Sequence, residues 1–178
     1  MPSFSAWLYA LLGIMVGVLA AGVLLMAPVQ PRGQPELDAA RARWAARPFS
    51  RYRLALEIGS LGCKQELEVD GERVVAVRKN TCHAVEFTVS QIFDAIERDI
   101  RTRNGRCGTN GCGCDGVQQV EAIYDSRLGF PVSKQVALNA AARWRFPEYW
   151  RHRLAGGLCT SREQSHERVT VIALQPIG

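Results

Sequence analysis

Apolar positions recur with two different periods along this chain, and each change of period marks a new element. Between Glu36 and Arg47 acidic residues come first and arginines last, which suits the charge preference of a helix from its amino to its carboxyl end; Pro48 stops it. A period of two then takes over. Tyr52, Leu54, Leu56 and Ile58 alternate with Arg51, Arg53, Ala55 and Glu57, predicting a half-buried strand. Cys63, Gln65, Leu67 and Val69 alternate with Lys64, Glu66, Glu68 and Asp70, and the pair Asp70-Gly71 predicts a hairpin turn into a returning strand, "ERVVAVRK". Thr88 with Gln91 makes a capping box, opening a helix whose Val89, Ile92, Phe93, Ile96 and Ile100 form one apolar stripe. Beyond a glycine- and cysteine-rich loop come a strand over about Val117–Asp125, a turn through "SRLGFP" and a strand over about Val132–Asn139. A short helix begins at Pro147 and ends before Gly156-Gly157, and "RVTVIAL" is a final strand. Hairpin connections with helices set between strand groups predict an α+β domain: a small antiparallel sheet with helices on one face.

One segment fits neither period. Residues Ala6–Val29 are an uncharged, overwhelmingly apolar run that as a helix reaches about 36 Å, more than the roughly 30 Å hydrocarbon layer of a bilayer. Secretory apolar cores are only about 7–15 residues long, and Pro28 directly after Ala27 makes a poor cleavage site. The expected organisation is a single uncleaved transmembrane anchor at 6–29, a Pro-rich linker at 30–35 and a domain at 36–178, with a cleaved signal peptide as the alternative. "LAAG" at Leu19–Gly22 is followed by Val23 where lipidation needs a cysteine. Trp7 and Tyr9 near one end suit an interfacial aromatic belt. Two orientation rules disagree. No Lys or Arg precedes the run, whereas Arg32, Arg41, Arg43 and Arg47 follow it, which favours a cytoplasmic domain. Six cysteines in so small a domain favour an oxidising compartment. The cysteines outweigh the flank, whose arginines are spread out and diluted by Glu36 and Asp38. The expectation is a single-pass protein of the cytoplasmic membrane with its C-terminal domain outside.

The net charge of +5 comes from 19 Arg and 3 Lys against 17 acidic residues. These charges are interspersed with Glu and Asp and form no basic face, so nucleic acid is not an expected partner.

Trp44, Tyr52, Cys63, Val69-Asp70-Gly71 with Val74, Thr88-Val89 with Ile92-Phe93, and Tyr124-Asp125 with Leu128-Gly129-Phe130-Pro131 occur in a familiar order. In this the chain resembles a family of uncharacterised bacterial secreted and lipoprotein domains, whose pattern reads W…Y…C…VDG…TVxxLF…YDxxxGYP, over about Trp44–Leu174. The resemblance implies an extracytoplasmic, membrane-tethered α+β domain and implies no activity. The chain departs from the pattern in lacking a lipid-attachment cysteine, in carrying Asn139 near the place of an aspartate, and in the elaborated loop at 107–116.

The cysteines are Cys63, Cys82, Cys107, Cys112, Cys114 and Cys159. A straight ladder from the Asp70-Gly71 turn sets Cys63 opposite Arg78, leaving Cys82 about 13 Å too far along for a bridge. A fold-back through Lys79-Asn80-Thr81 would bring it round, so a Cys63–Cys82 bond closing the hairpin is expected. The remaining four pair as Cys107–Cys112 with Cys114–Cys159, or Cys107–Cys114 with Cys112–Cys159, each bond contributing about 2–4 kcal/mol. The rival is a zinc site on the thiolates of Cys107, Cys112, Cys114 and Cys159; the spacing lacks the paired C-x2-C knuckles of common zinc modules. Disulfides are the expectation, with no cofactor and no metal.

His83, His152 and His166 have no orienting partners readable in the sequence, and no nucleophile, metalloprotease, P-loop or dinucleotide motif occurs. Asp125 and "LGFP" read as a turn rather than a charged site. "RWRFPEYWRHR" at 143–153 interleaves Trp144, Phe146, Tyr149 and Trp150 with Arg143, Arg145, Arg151, Arg153 and His152, a pattern suited to anionic lipid headgroups or to stacking on single-stranded nucleic acid, of which a membrane-tethered domain favours the lipid. The plainer expectation is a short helix that buries Trp150 and Leu154 and leaves its arginines solvated. The overall expectation is a membrane-anchored extracytoplasmic domain with a non-enzymatic binding or structural role in the cell envelope, its partners an envelope protein or lipid headgroups. The alternative is a cytoplasm-facing domain with a Cys-rich zinc or redox site.

Overall fold

The computed structural model describes residues 33–59, 62–82, 87–156 and 168–177. These belong to one structural unit, Pro31–Gly178. The apolar run at 6–29 lies outside the described residues; among them, no helix is long and apolar enough to cross a membrane.

The elements follow the hydrophobic pattern closely. Helix α1 (Gln34–Ala45) begins two residues before Glu36 and turns Leu37, Ala40 and Trp44 inward at helical spacing. Strands β1 (Arg51–Ile58), β2 (Cys63–Asp70) and β3 (Arg73–Asn80) form an antiparallel meander. Helix α2 (Val89–Thr102) opens with the expected box: Thr88 Oγ1 accepts from the Gln91 amide at 3.3 Å, and Gln91 Oε1 accepts from the Thr88 amide at 2.8 Å. All five residues of its stripe are buried. A four-residue turn of helix, α3 (Cys112–Asp115), lies within the loop and was not expected from the pattern. Then come β4 (Val117–Tyr124), β5 (Pro131–Asn139), a 3-10 segment (Ala140–Arg145), helix α4 (Pro147–Leu154) and β6 (Arg168–Pro176).

The six strands make one antiparallel sheet in the order β3-β2-β1-β6-β5-β4. The last strand is inserted between the first meander and the β4–β5 hairpin. It pairs with β1 from Tyr52 to Ile58, but with β5 only at Ser133, Lys134 and Gln135. Tyr52, Leu54, Leu56, Leu67, Val69, Val169 and Val171 form the core with the inward faces of α1 and α2. The other face of the sheet is polar. There Glu68 is enclosed by Arg78 at 2.8 Å, Arg53 at 3.2 Å and Arg51 at 3.5 Å, and hydrogen bonds from Arg78 and Arg53 hold its carboxyl below the usual carboxylate range.

The first hairpin corrects the straight-ladder register. Asp70 faces Arg73 across a Gly71-Glu72 turn, and the ladder slips by one residue at Glu66/Leu67 and again at Glu68/Val69, so Gln65 faces Asn80. Thr81 continues this line, donating its amide to the Lys64 carbonyl at 2.9 Å. Cys82 therefore comes abreast of Cys63 without folding back, and the two form a disulfide with Cα atoms 5.1 Å apart. Arg78 is not opposite Cys63 because the turn residues are Gly71-Glu72 instead of Asp70-Gly71, which moves the register by two, and because two bulges, invisible to a strict period of two, move it by two more.

Helix α2 also holds the β4–β5 hairpin. Phe93 stacks on Tyr124 at 6.2 Å between centroids. Lys134 of β5 points inward to Asp99 of α2, with Nζ 2.5 Å from Oδ2 and side chains only 2 % and 8 % exposed; Arg103 approaches the other oxygen at 3.2 Å. Nothing in the sequence pattern singled out Lys134. Removing one partner leaves the other buried charge undercompensated, so Asp99→Asn or Lys134→Met alone should destabilise the chain, by up to about 3–5 kcal/mol, in chemical denaturation, whereas the pair Asp99→Leu with Lys134→Met should recover most of that loss.

Candidate functional site: the cystine loop and the arm it carries

The glycine-cysteine stretch is a closed loop with a β-type neck. After α2 the amide of Gly105 donates to Gln118 O at 2.8 Å, and the amide of Gln118 to Arg106 O at 2.7 Å; Cys107 and Val117 form a further bridge. Within the loop Cys107 is bonded to Cys112, their Cα atoms 4.5 Å apart, and Cys114 is disulfide-bonded as well. Cys159, the cysteine that the sequence leaves for it, lies outside the described residues, as do His83 and His166. Of the pairings weighed for these four cysteines, the described residues show Cys107–Cys112. Cys107 and Cys112 thus offer no thiolate to a metal in this state, and among the described residues no group of three His, Cys, Asp or Glu side chains is placed to hold an ion.

The loop is also packed from within. Asp115 is buried and accepts from the Asn110 amide at 2.7 Å and from Asn110 Nδ2 at 3.1 Å. A side chain at Gly108 would collide with that carboxylate. Outward, a Cβ on Gly113 would come within 2.7 Å of Glu148 Cβ and of the Tyr149 amide nitrogen, and one on Gly116 would collide with Asn139 O. The glycines serve close approach: α4 and the end of β5 rest directly on the loop backbone.

What rests there is the segment 143–153. Asn139 Oδ1 caps the 3-10 turn through the Ala141 amide at 3.1 Å, and Asn139 Nδ2 donates to Gln119 Oε1 at 3.4 Å. Trp150 Nε1 donates to Trp144 O at 2.9 Å, Tyr149 meets Trp150 edge-on at 5.2 Å, and Arg145 lies over the Trp144 ring at 5.5 Å. The expected burial of Trp150 and Leu154 is overturned. Helix α4 buries none of its residues; Trp144, Trp150 and Leu154 are 59 %, 50 % and 86 % exposed. The reason is its seat: α4 packs on a four-residue turn of backbone, which has no apolar groove to receive two indoles and a leucine. Its one acid, Glu148, pairs with Arg151 at 3.4 Å.

The other singled-out residues are structural. Asp125 Oδ1 accepts from the amides of Arg127 and Leu128 at 3.0 and 2.6 Å, and Gly129, at φ 81°, presses against the Ala40 carbonyl. Trp44 meets Tyr52, Phe49 and Phe130 edge-on at 5.3, 6.1 and 6.3 Å. Burial pushes the Tyr52 and Tyr124 hydroxyls up to about 12. His152 is exposed on α4. Three further surface pockets are lined by described residues. One of ≈ 320 Å³ has Gly33, Glu36, Asn104, Gln119 and Tyr124 in its wall; one of ≈ 480 Å³ combines Arg43, Arg47 and Arg127 with Phe49 and Leu128. On the polar face Ser133 shares a pocket with Glu121 and Arg168, and the Glu121 carboxylate accepts from Gln135 Nε2 at 2.7 Å.

The model of a family of unknown function, DUF6174, matches residues 36–142, more than half of the chain. The chain belongs to that family. Neither a curated protein nor a solved structure matches it. The DUF6174 match stops short of the Trp44–Leu174 span of the resemblance: it takes in α1, the cystine loop and β5, and ends just before Arg143. The residues that carried the resemblance (Trp44, Tyr52, Asp70-Gly71, Thr88, Gly129, Phe130) are core, turn and cap positions, so membership in DUF6174 speaks to fold. The arm from Arg143 onward lies beyond it. Gly113→Ala should leave the core intact but dislodge α4; hydrogen exchange over 147–154 should rise at least about tenfold, with the unfolding midpoint nearly unchanged.

Proposed function

We propose that this chain is a membrane-anchored domain that works outside the cytoplasm, held by residues 6–29, with a binding or structural role in the cell envelope and no catalysis of its own. The observation that carries this reading is the state of the cysteines: all five described ones are in disulfides, in a chain that supplies only six. Persistent disulfides belong to oxidising compartments. The bonds also sit where they fasten chain to chain, at the open end of the first hairpin and across the loop. A catalytic or redox thiol would instead be accessible and poised near a cation. The apolar run gives the membrane attachment. The test is topology. Full-length chain carrying C-terminal alkaline phosphatase should show high phosphatase activity in a bacterial host, and the same chain carrying a green fluorescent protein should be dark. The reverse pattern would place the domain in the cytoplasm and end this reading.

A further inference from the structure

Resting on the membrane-held reading above, we propose that the arm at 143–154 is a second membrane contact, laid on the surface of a bilayer rich in anionic phospholipid. Three observations lead there. The first is composition in place: Trp144, Trp150 and Leu154 stand open beside Arg143, Arg145, Arg151, Arg153 and His152, with Glu148 the only acid of the segment. Indoles and leucine that enter the headgroup boundary beside arginines that meet phosphate are what an interfacial helix needs. The second is preorganisation. The hydrogen bond from Trp150 Nε1 to the Trp144 carbonyl fixes the Trp150 indole against the preceding turn, and the seat on Gly113 fixes the helix that carries it, which lowers the ordering cost of binding.

The third is position. The chain enters the domain at Gly33, only four residues past Val29, so a fully extended connection spans no more than about 14 Å. Gly33 lines the same pocket as Asn104 and Gln119, and Gln119 accepts from Asn139, the residue that caps the arm. The entry point and the root of the arm therefore lie at one end of the domain. A tether there holds the arm at the bilayer surface at high effective concentration, so individually weak contacts suffice. An envelope protein is the less favoured occupant: four arginines and a histidine against one acid match the dense phosphate of an anionic bilayer surface.

The test uses full-length chain in nanodiscs with the Trp7→Phe change, which leaves buried Trp44 and the two arm indoles. Discs of phosphatidylglycerol and of phosphatidylcholine, each with brominated acyl chains, are compared. Quenching of the arm indoles should be at least about twofold greater in the anionic discs and should weaken with salt. Replacing Arg143, Arg145, Arg151 and Arg153 by Gln should reduce it to the zwitterionic level, each arginine removed weakening contact about fivefold. Arg145, Arg151 and Arg153 are exposed and Arg143 is half-buried, its Nε donating to the Ala140 carbonyl at 3.0 Å, so a melting curve and the circular dichroism of the variant, both unchanged, show that the fold and the arm are intact. Indoles that stay equally open to aqueous acrylamide in both discs would overturn the proposal. So would protection seen in native membranes and in neither disc, which would assign the arm to a protein. Because the fusion reporters read compartment and the discs read lipid contact, either idea can fail alone.

Discussion

Three register pairs, helix α2 and the contacts of the turn residues Gly129 and Phe130 with α1 attach the β4–β5 hairpin to the rest of the domain. Strand β6 meets β5 only over Ser133–Gln135, a seam too short to fix the hairpin by backbone hydrogen bonds alone. Helix α2 bridges it, placing Phe93 on Tyr124 and Asp99 on Lys134 while its other buried residues close over β1 and β2. Everything that distinguishes this chain at its surface hangs from that hairpin: the loop neck runs into β4, and the arm leaves from the end of β5. A buried ion pair is an uneconomical way to add stability, but one whose partners lie on different elements specifies which strand lies under which turn of the helix.

Much of this was legible because the elements obey simple periods. The α2 stripe and its cap were readable residue by residue, since Thr88, Gln91 and the 3.6-residue spacing each act locally. The hairpin turn at Asp70-Gly71 was readable for the same reason. What failed was register and seating. A turn set one residue later and two bulges in β3 leave no mark on an alternating pattern, so the sequence calls for a fold-back to make the Cys63–Cys82 bond where the shifted register delivers it. Lys134 looked like an ordinary polar strand residue, because only the tertiary fold brings Asp99 to it. The arm was misjudged for a related reason: aromatic content predicts burial only where a groove exists, and a sequence does not say what α4 will rest on.

The loop shows how glycine and cysteine divide a structural task. The Cys107–Cys112 bond and the buried Asp115 carboxylate make a small rigid object that needs no apolar core of its own. Gly113 and Gly116 then let backbone from two other segments approach it at contact distance. The consequence is functional as well as structural. A helix seated on such a platform by Glu148 and Tyr149 is held in position yet keeps its other sides open, which is how two tryptophans and a leucine remain in solvent on the segment.

The measurement that reaches the centre of this account is the oxidation state of the loop in the full-length protein. Membranes would be quenched with an alkylating agent and the protein weighed intact, before and after reduction, then digested to locate the bonds. The account predicts no adduct until reductant is added, six afterwards, and peptides joined as Cys63–Cys82 and Cys107–Cys112. Alkylation of Cys107 and Cys112 without reductant would contradict it, and would make the loop a thiol site instead of the platform on which the arm depends.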